Sequence, residues 1–168
     1  EGVSERILSC ATEEFLEKGY SDASLRTIAA KAGTTTGSIY SRFKDKEGLF
    51  AAIVGPVAEY MMNLFVKTQE EFHAVEPEPK EMDDYVISGM DEMLDYIYDN
   101  FTAFQLLLEA SYGTKFQNFV EELAEVEAEY TYKFMEVIHF QNDEENEVTG
   151  EFIHIMTRAL FDSMFEVV

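Results

Sequence analysis

From Ile7 to the last residues of this chain, apolar side chains recur three or four positions apart, and strict two-residue alternation is scarce. That spacing puts them on one face of a helix, so the sequence is constrained to an all-α fold. Punctuation then divides the chain. Ser4 can cap a first helix with Ile7, Leu8, Ala11 and Phe15 inward, and Gly19 after Lys18 supplies a left-handed stop. Ser24 and Thr35 can cap two short helices, the first carrying Leu25, Ile28, Ala29 and Ala32 and ending at Gly33, the second carrying Ile39 and Phe43. Asp45 starts a fourth helix reaching to about Phe72, with Leu49, Phe50 and Ile53 buried and a kink expected at Pro56. Residues 74–80 read as a linker. A fifth helix then carries Tyr85 to Ile97 and breaks at Asp99-Asn100, and a sixth spans about Thr102–Ala110. After Gly113 a seventh runs from Phe116 to Val137. A loop at Gln141-Asn142-Asp143 precedes the last helix, which carries Phe152 to Val167.

The 168 residues, 46% hydrophobic and rich in aromatics, suit a small head on a larger body rather than a disordered chain. The single cysteine, Cys10, rules out an intramolecular disulfide. The longest apolar run, Leu49 to Ala58, is far short of a membrane span of ~20 residues, and no secretory leader is evident. A cytoplasmic location without membrane contact is expected. The chain lacks an initial Met and ends at Val168 without a capping residue, so it is expected to continue beyond both ends.

A net charge of −22 opposes nucleic-acid binding at first sight, but the charge is unevenly placed. Residues 20–46 hold five basic and two acidic residues, whereas residues 51–168 hold five basic and 26 acidic ones. Charges farther apart than a Debye length of ~8 Å are largely screened, so a local cationic patch can hold phosphate beside an acidic body.

Within that patch lies the spacing of a helix-turn-helix. Ala29 is small where a second helix must cross the first. Gly33, four later, accepts the positive φ of the turn, and Ile39, six later still, is a branched pin under the first helix. The short helix that follows Thr35 is built of small or hydrogen-bonding residues: Thr35, Thr36, Gly37, Ser38, Tyr40, Ser41 and Arg42. A groove-reading face needs such donors, acceptors and close backbone approach. Gly37 costs that helix roughly 1 kcal/mol relative to Ala, which contact with DNA would explain.

These residues, with Arg6-Ile7-Leu8, Phe15, Gly19-Tyr20, Ser24 to Ala29, Ala32 to Phe43 and Lys44-Asp45-Lys46-Glu47-Gly48-Leu49, resemble the signature of the TetR (tetracycline-repressor) family over about the first 50 positions without a gap. The resemblance implies a helix-turn-helix DNA-binding head over residues 1–47, joined by a long helix to a ligand-binding and dimerisation bundle over 48–168. It implies that Thr36, Gly37 and Ser38 face bases or adjacent phosphates, that Tyr40 donates to a phosphate, and that Lys46 holds another. It further implies that Arg26 and Thr27 reach the flanking backbone. Arg42 suits a contact with guanine, and Thr35, Ser41 and Lys44 complete the expected interface with double-stranded operator DNA.

The same resemblance implies a homodimer paired near the C-terminus, for which Phe152, Met156, Ala159, Leu160, Ser163, Met164 and Val167 form an apolar stripe. It also implies a small-molecule effector, expected to be apolar, whose binding swings the fourth helix and releases a palindromic operator. Tyr60, Phe65, Met93, Tyr96, Phe104, Tyr130 and Phe134 are the expected pocket residues, although for each taken singly ordinary core is the better reading. The acidic body disfavours an anionic ligand and favours a neutral or cationic one. Two other classes have less support from the residues. An enzyme lacks support, because Cys10 has no nearby histidine and His73, His139 and His154 form no ligand pair at helical spacing, so no metal or cofactor is expected. A helical protein-interaction module without DNA binding would explain the acidic body but leaves the basic cluster of the head unexplained.

Overall fold

Where a helix starts and stops in this chain is set by single residues whose side chains or φ angles satisfy the open ends of the backbone. In the computed structural model, which describes residues 2–75, 79–137 and 149–166, eight α-helices and no strand are found among the described residues. They are α1 (Val3–Asp22), α2 (Leu25–Lys31), α3 (Thr36–Phe43), α4 (Lys46–Val75), α5 (Pro79–Asp99), α6 (Phe101–Glu109), α7 (Phe119–Val137) and α8 (Gly150–Phe165). Ser24 Oγ accepts from the Thr27 amide, Thr35 Oγ1 from Ser38, Asp45 Oδ1 from Gly48 at 2.7 Å, and Thr149 Oγ1 from Phe152. Gly19, Gly33 and Gly113 have φ of 70°, 63° and 87°, values that favour glycine: Gly19 kinks α1, which resumes to Asp22, and Gly33 turns the chain after α2, whereas α6 ends at Glu109, ahead of Gly113. Ser4 is not the first cap: α1 begins one residue earlier, with the Gly2 amide donating to Glu5 Oε2 at 2.8 Å. The expected linker narrows from 74–80, since α4 runs to Val75 and α5 starts at Pro79. The expected loop at 141–143 and Val167 lie outside the described residues.

The chain divides into two compact units, and not at residue 47. Unit 1 comprises residues 1–60 with 97–117, and unit 2 comprises 61–96 with 118–168. The first turns of α4 belong to unit 1 because Leu49, Phe50 and Val54 are fully buried in it. Around Phe50 the rings of Phe15, Tyr20 and Phe116 gather at centroid distances of 5.0, 5.4 and 6.4 Å, mostly edge-on. Full burial of one such ring is worth about 1.5–3 kcal/mol. α6 completes this core with Phe104, Leu106 and Leu107, and the Tyr20 amide donates to the Ala110 carbonyl at 3.0 Å.

Unit 2 is formed by the second half of α4, most of α5, α7 and α8. Its core includes Met61, Phe65, Met93, Leu123, Ala124, Ile153 and Phe161. Thr157 of α8 donates to the Ala124 carbonyl of α7, while His154 and Arg158 both reach Glu121, at 2.8 and 2.7 Å. α4 is long and apolar enough by composition to cross a bilayer. Its burial accounts for much of that apolarity: Leu49, Phe50 and Val54 are buried in unit 1, Met61, Leu64 and Phe65 in unit 2. The helix continues through Pro56, which is exposed.

The junction between α3 and α4 is the tightest backbone contact of the head. Lys44, at φ 73° and ψ −54°, is the centre of a γ-turn closed by the Asp45 amide on the Phe43 carbonyl at 2.9 Å. This positive-φ form of the turn is rare and strained. It brings the Phe43 carbonyl so near Gly48 that an added Cβ would lie 1.9 Å from the oxygen. Gly48→Ala is therefore expected to destabilise the protein by roughly 3 kcal/mol, at the severe end for one substitution. Thermal or urea unfolding checks this, and a loss below half a kcal/mol would show that the junction is not held as described.

Candidate functional site

The helix-turn-helix is assembled from α2 and α3. Ile28, Ala29 and Ala32 are buried on α2, Ile39 is buried on α3, and Gly33 turns the chain between them. Glu14 of α1 is nearly fully buried. It accepts from the Ser24 amide at 3.2 Å and faces Lys31 Nζ at 3.5 Å, so a carboxylate sits at the positive end of α2. Arg6 Nε donates to the Ala32 carbonyl at the other end of the same helix. α2 is thus fastened to α1 at both termini.

With Ile39 inward, α3 turns its polar residues outward. Thr35, Gly37, Tyr40, Ser41, Arg42 and Lys44 are exposed, and Thr36 and Ser38 are half-buried. Tyr40 leaves 54% of its surface open although its ring is apolar. Arg42 donates from one nitrogen to Ser38 Oγ at 2.6 Å and to the Ser38 carbonyl at 3.2 Å, which leaves the rest of its guanidinium fork unengaged by those bonds. On α2, Arg26 is exposed and Thr27 half-buried. Among the described residues nothing requires glycine at position 37. Its φ is not in the left-handed range, and an added Cβ would meet only Thr35 Oγ1, at an ordinary 3.7 Å.

Lys46 is placed differently from the phosphate contact implied by the resemblance. Its Nζ donates to the Ser21 and Ala23 carbonyls, at 2.9 and 3.0 Å, and lies 4.8 Å above the Tyr20 ring. There it caps the negative end of α1. Partial burial pulls its ammonium below the usual lysine value, with Asp22 acting the other way. Two of its three N–H donors are engaged internally, so only one is left for an outside partner.

Unit 2 holds a cavity of about 280 Å3. α4 contributes Phe65, Thr68, Gln69, Phe72 and His73. α5 contributes Gly89, Met90 and Met93. α7 contributes Glu127, Tyr130, Thr131 and Phe134, and α8 Leu160, Phe161 and Met164. The wall is mostly aromatic and sulfur-bearing, a soft lining suited to apolar ligands. His73 lies 5.3 Å from Tyr130 and 6.3 Å from Phe134, ring to ring. Glu127 accepts from Gln69 Nε2 and, at 3.5 Å, from Thr131 Oγ1. Burial pushes its carboxyl above the ordinary range, against the opposing pull of the Thr131 hydrogen bond. Among the described residues, no group of three or more His, Cys, Asp or Glu is placed to hold a metal ion.

Residues 7–53 match the model of the bacterial regulatory proteins of the tetR family. The matched residues are those of the helix-turn-helix head and the first turns of α4. The HTH-type transcriptional repressor BepR of Brucella suis biovar 1 (strain 1330) is 45% identical over 51 residues, 30% of this chain and 24% of BepR. The match thus spans about a quarter of the curated relatives' length. Solved structures are similar over nearly the whole chain. A provisionally assigned fatty acid metabolism regulator of Clostridium perfringens has a TM-score of 0.60 at 19% identity, covering 96% of this chain and 83% of that one. The transcriptional regulator FadR of Bacillus subtilis, solved with stearoyl-CoA, has a TM-score of 0.55 at 21% identity, covering 97% and 85%. At such identities the likeness shows the fold alone: a helix-turn-helix head followed by a helical body.

Of the pocket residues expected from the sequence, Phe65, Met93, Tyr130 and Phe134 meet at the cavity of unit 2. Tyr60 and Phe104 belong to unit 1, where Tyr60 is exposed and Phe104 is fully buried in the core that α6 completes. Tyr96, half-buried on α5, is not among the lining residues. The stripe expected on α8 is largely exposed at Phe152, Met156, Ala159, Leu160 and Ser163, while Met164 and Leu160 also line the cavity. Sequence reading missed Gln69, His73, Glu127 and Thr131. A signal for Glu127 was present, since it stands three and seven positions before Tyr130 and Phe134 on one face of α7 and so puts a carboxylate in an apolar row.

A raised carboxyl has a consequence for stability. Folding disfavours the ionised form of Glu127, so its contribution is full at acid pH, below its unfolded value, and is lost as pH rises through the raised folded value. Glu127→Gln is expected to raise the melting temperature at neutral pH, with the gap closing on acidification. Melting curves for both proteins from pH 4 to 8 test this; a pH-independent difference would contradict the assignment.

Proposed function

We propose that this chain is a transcriptional regulator, a repressor, that reads palindromic operator DNA as a homodimer through α3 and lets go when a small molecule occupies the cavity of unit 2. The observation that carries the reading is Gly37, a helix-weakening residue kept where the protein itself has room for a side chain, on an outward face of hydroxyls, Tyr40 and Arg42. Close approach of a nucleic-acid backbone or base edge is the use for such a gap. The curated relatives that share the head are named as transcriptional regulators or repressors, in keeping with this reading. In this role the protein works in the cytoplasm, on chromosomal DNA, without catalysis.

Thr36, Ser38, Tyr40, Ser41 and Arg42 are the expected base and phosphate contacts, with Arg26, Thr27, Thr35 and Lys44 on the flanking backbone. Lys46 is assigned to holding the head together, with its remaining donor available to a phosphate. The exposed face of α8, with Phe152, Met156, Ala159 and Leu160 in helical register and Ile155 beside them, supplies the pairing surface. α4 supplies residues both to the core of unit 1 and to the cavity wall of unit 2, so occupancy of the cavity acts on a helix that also anchors the head. An effector releases DNA only by its differential affinity for the two states of that helix.

Gly37→Ala separates folding from reading. It is expected to stabilise the fold by up to about 1 kcal/mol while weakening operator binding. Unfolding curves and fluorescence anisotropy with duplex DNA measure the two; unchanged affinity would remove the main support for the proposal. Arg42→Ala is expected to cost about 1–3 kcal/mol of operator affinity and to relax discrimination at one base pair. Binding of the native protein to operator should fall steeply with added salt. Met156→Glu should convert a dimer into a monomer in sedimentation velocity, and a variant that still dimerises would place the interface elsewhere.

A further inference from the structure

Glu127 is an unusual wall residue. A carboxylate facing an apolar cavity loses hydration that only a cation or several strong donors can replace. Its donors here are the neutral Gln69 amide and Thr131 hydroxyl. No Lys or Arg lies among the described lining residues, and the other titratable lining residues are His73 and Tyr130. Lys133 lies 4.6 Å above the Tyr130 ring, but it is half exposed and pairs with Glu129 at 2.6 Å. The cavity therefore holds an acceptor of positive charge that the described wall does not answer. The surroundings reinforce it, because unit 2 holds four basic and 23 acidic residues. Tyr130 and Phe134 add π faces, which also attract cations.

We infer that the cavity of unit 2 takes an amphiphilic monocation, with its apolar body among the aromatic and Met side chains and its ammonium against Glu127. This rests on the effector reading above and narrows it to one charge class. It also sets this cavity apart from the acyl-CoA held by the Bacillus subtilis neighbour, a ligand that carries several negative phosphates.

Three probes with the same decyl chain separate charge from hydrophobicity: decyltrimethylammonium, decanol and decanoate, each titrated calorimetrically into the full chain as dispersed monomers. The ammonium is expected to bind at least about tenfold more tightly than the alcohol, with decanoate weakest. In Glu127→Gln the preference of ammonium over alcohol should vanish while the alcohol affinity stays within about twofold. That second arm matters because diffuse attraction to an acidic surface would survive the substitution. Equal affinities of the ammonium and the alcohol, a preference for decanoate, no binding of any probe, or an undiminished ammonium preference in Glu127→Gln each overturn the inference. The probe comparison on the native chain stands even if the variant does not fold. Operator release is scored separately: selective ammonium binding with unchanged operator affinity would sink the effector reading and leave the charge selectivity intact.

Discussion

The close approach of the Phe43 carbonyl to Gly48 fixes the end of one helix against the start of the next. A strained turn at Lys44 is held there because Ile39 below α3 and Leu49 and Phe50 on α4 are all fully buried in the same unit. Strain of this kind persists only where the surroundings over-determine it. The outward face of α3 has a fixed attitude for that reason, and reading a groove requires one. Glu14 and Lys46 serve the same end from the other side: the carboxylate sits at the amino end of α2, and the ammonium closes the carboxyl end of α1.

Charge is used differently in the two units. In unit 1 the acidic and basic residues are closer to balance, and several are spent on backbone ends inside the protein. Those on α3 stay outside. In unit 2 acidic residues dominate, and the few basic ones, such as Arg158 and Lys133, are tied to nearby carboxylates. Charges farther apart than about 8 Å are largely screened at physiological salt. The overall charge alone is therefore a poor guide to what a local surface can hold.

Local rules made much of the fold legible in the sequence. Ser24, Thr35 and Asp45 cap helices, Gly19 kinks one, and the Ala29–Gly33–Ile39 spacing forms the turn, because each effect is decided within a few residues. What escaped depends on contacts distant in sequence. Lys46 reads as an outward cation until the carbonyls of Ser21 and Ala23 are brought to it. Phe104 and Phe65 carry the same periodic signal, yet one fills the core beneath α1 and the other walls a cavity. Periodicity says which face is inward and not what it meets. Glu127 was overlooked among many acidic residues, although its place in an apolar row distinguishes it from those on solvated faces.

Unit 1 is built from two stretches of chain that flank residues 61–96. The segment that returns, 97–117, brings Phe104, Leu106 and Leu107 into the core and ties Ala110 to Tyr20 and Lys115 to Glu47. During synthesis, when chains emerge amino end first, the core of unit 1 therefore cannot reach its final packing until Gln117 has left the ribosome. Unit 1, although it begins the sequence, matures only after half of the remaining polypeptide has been made.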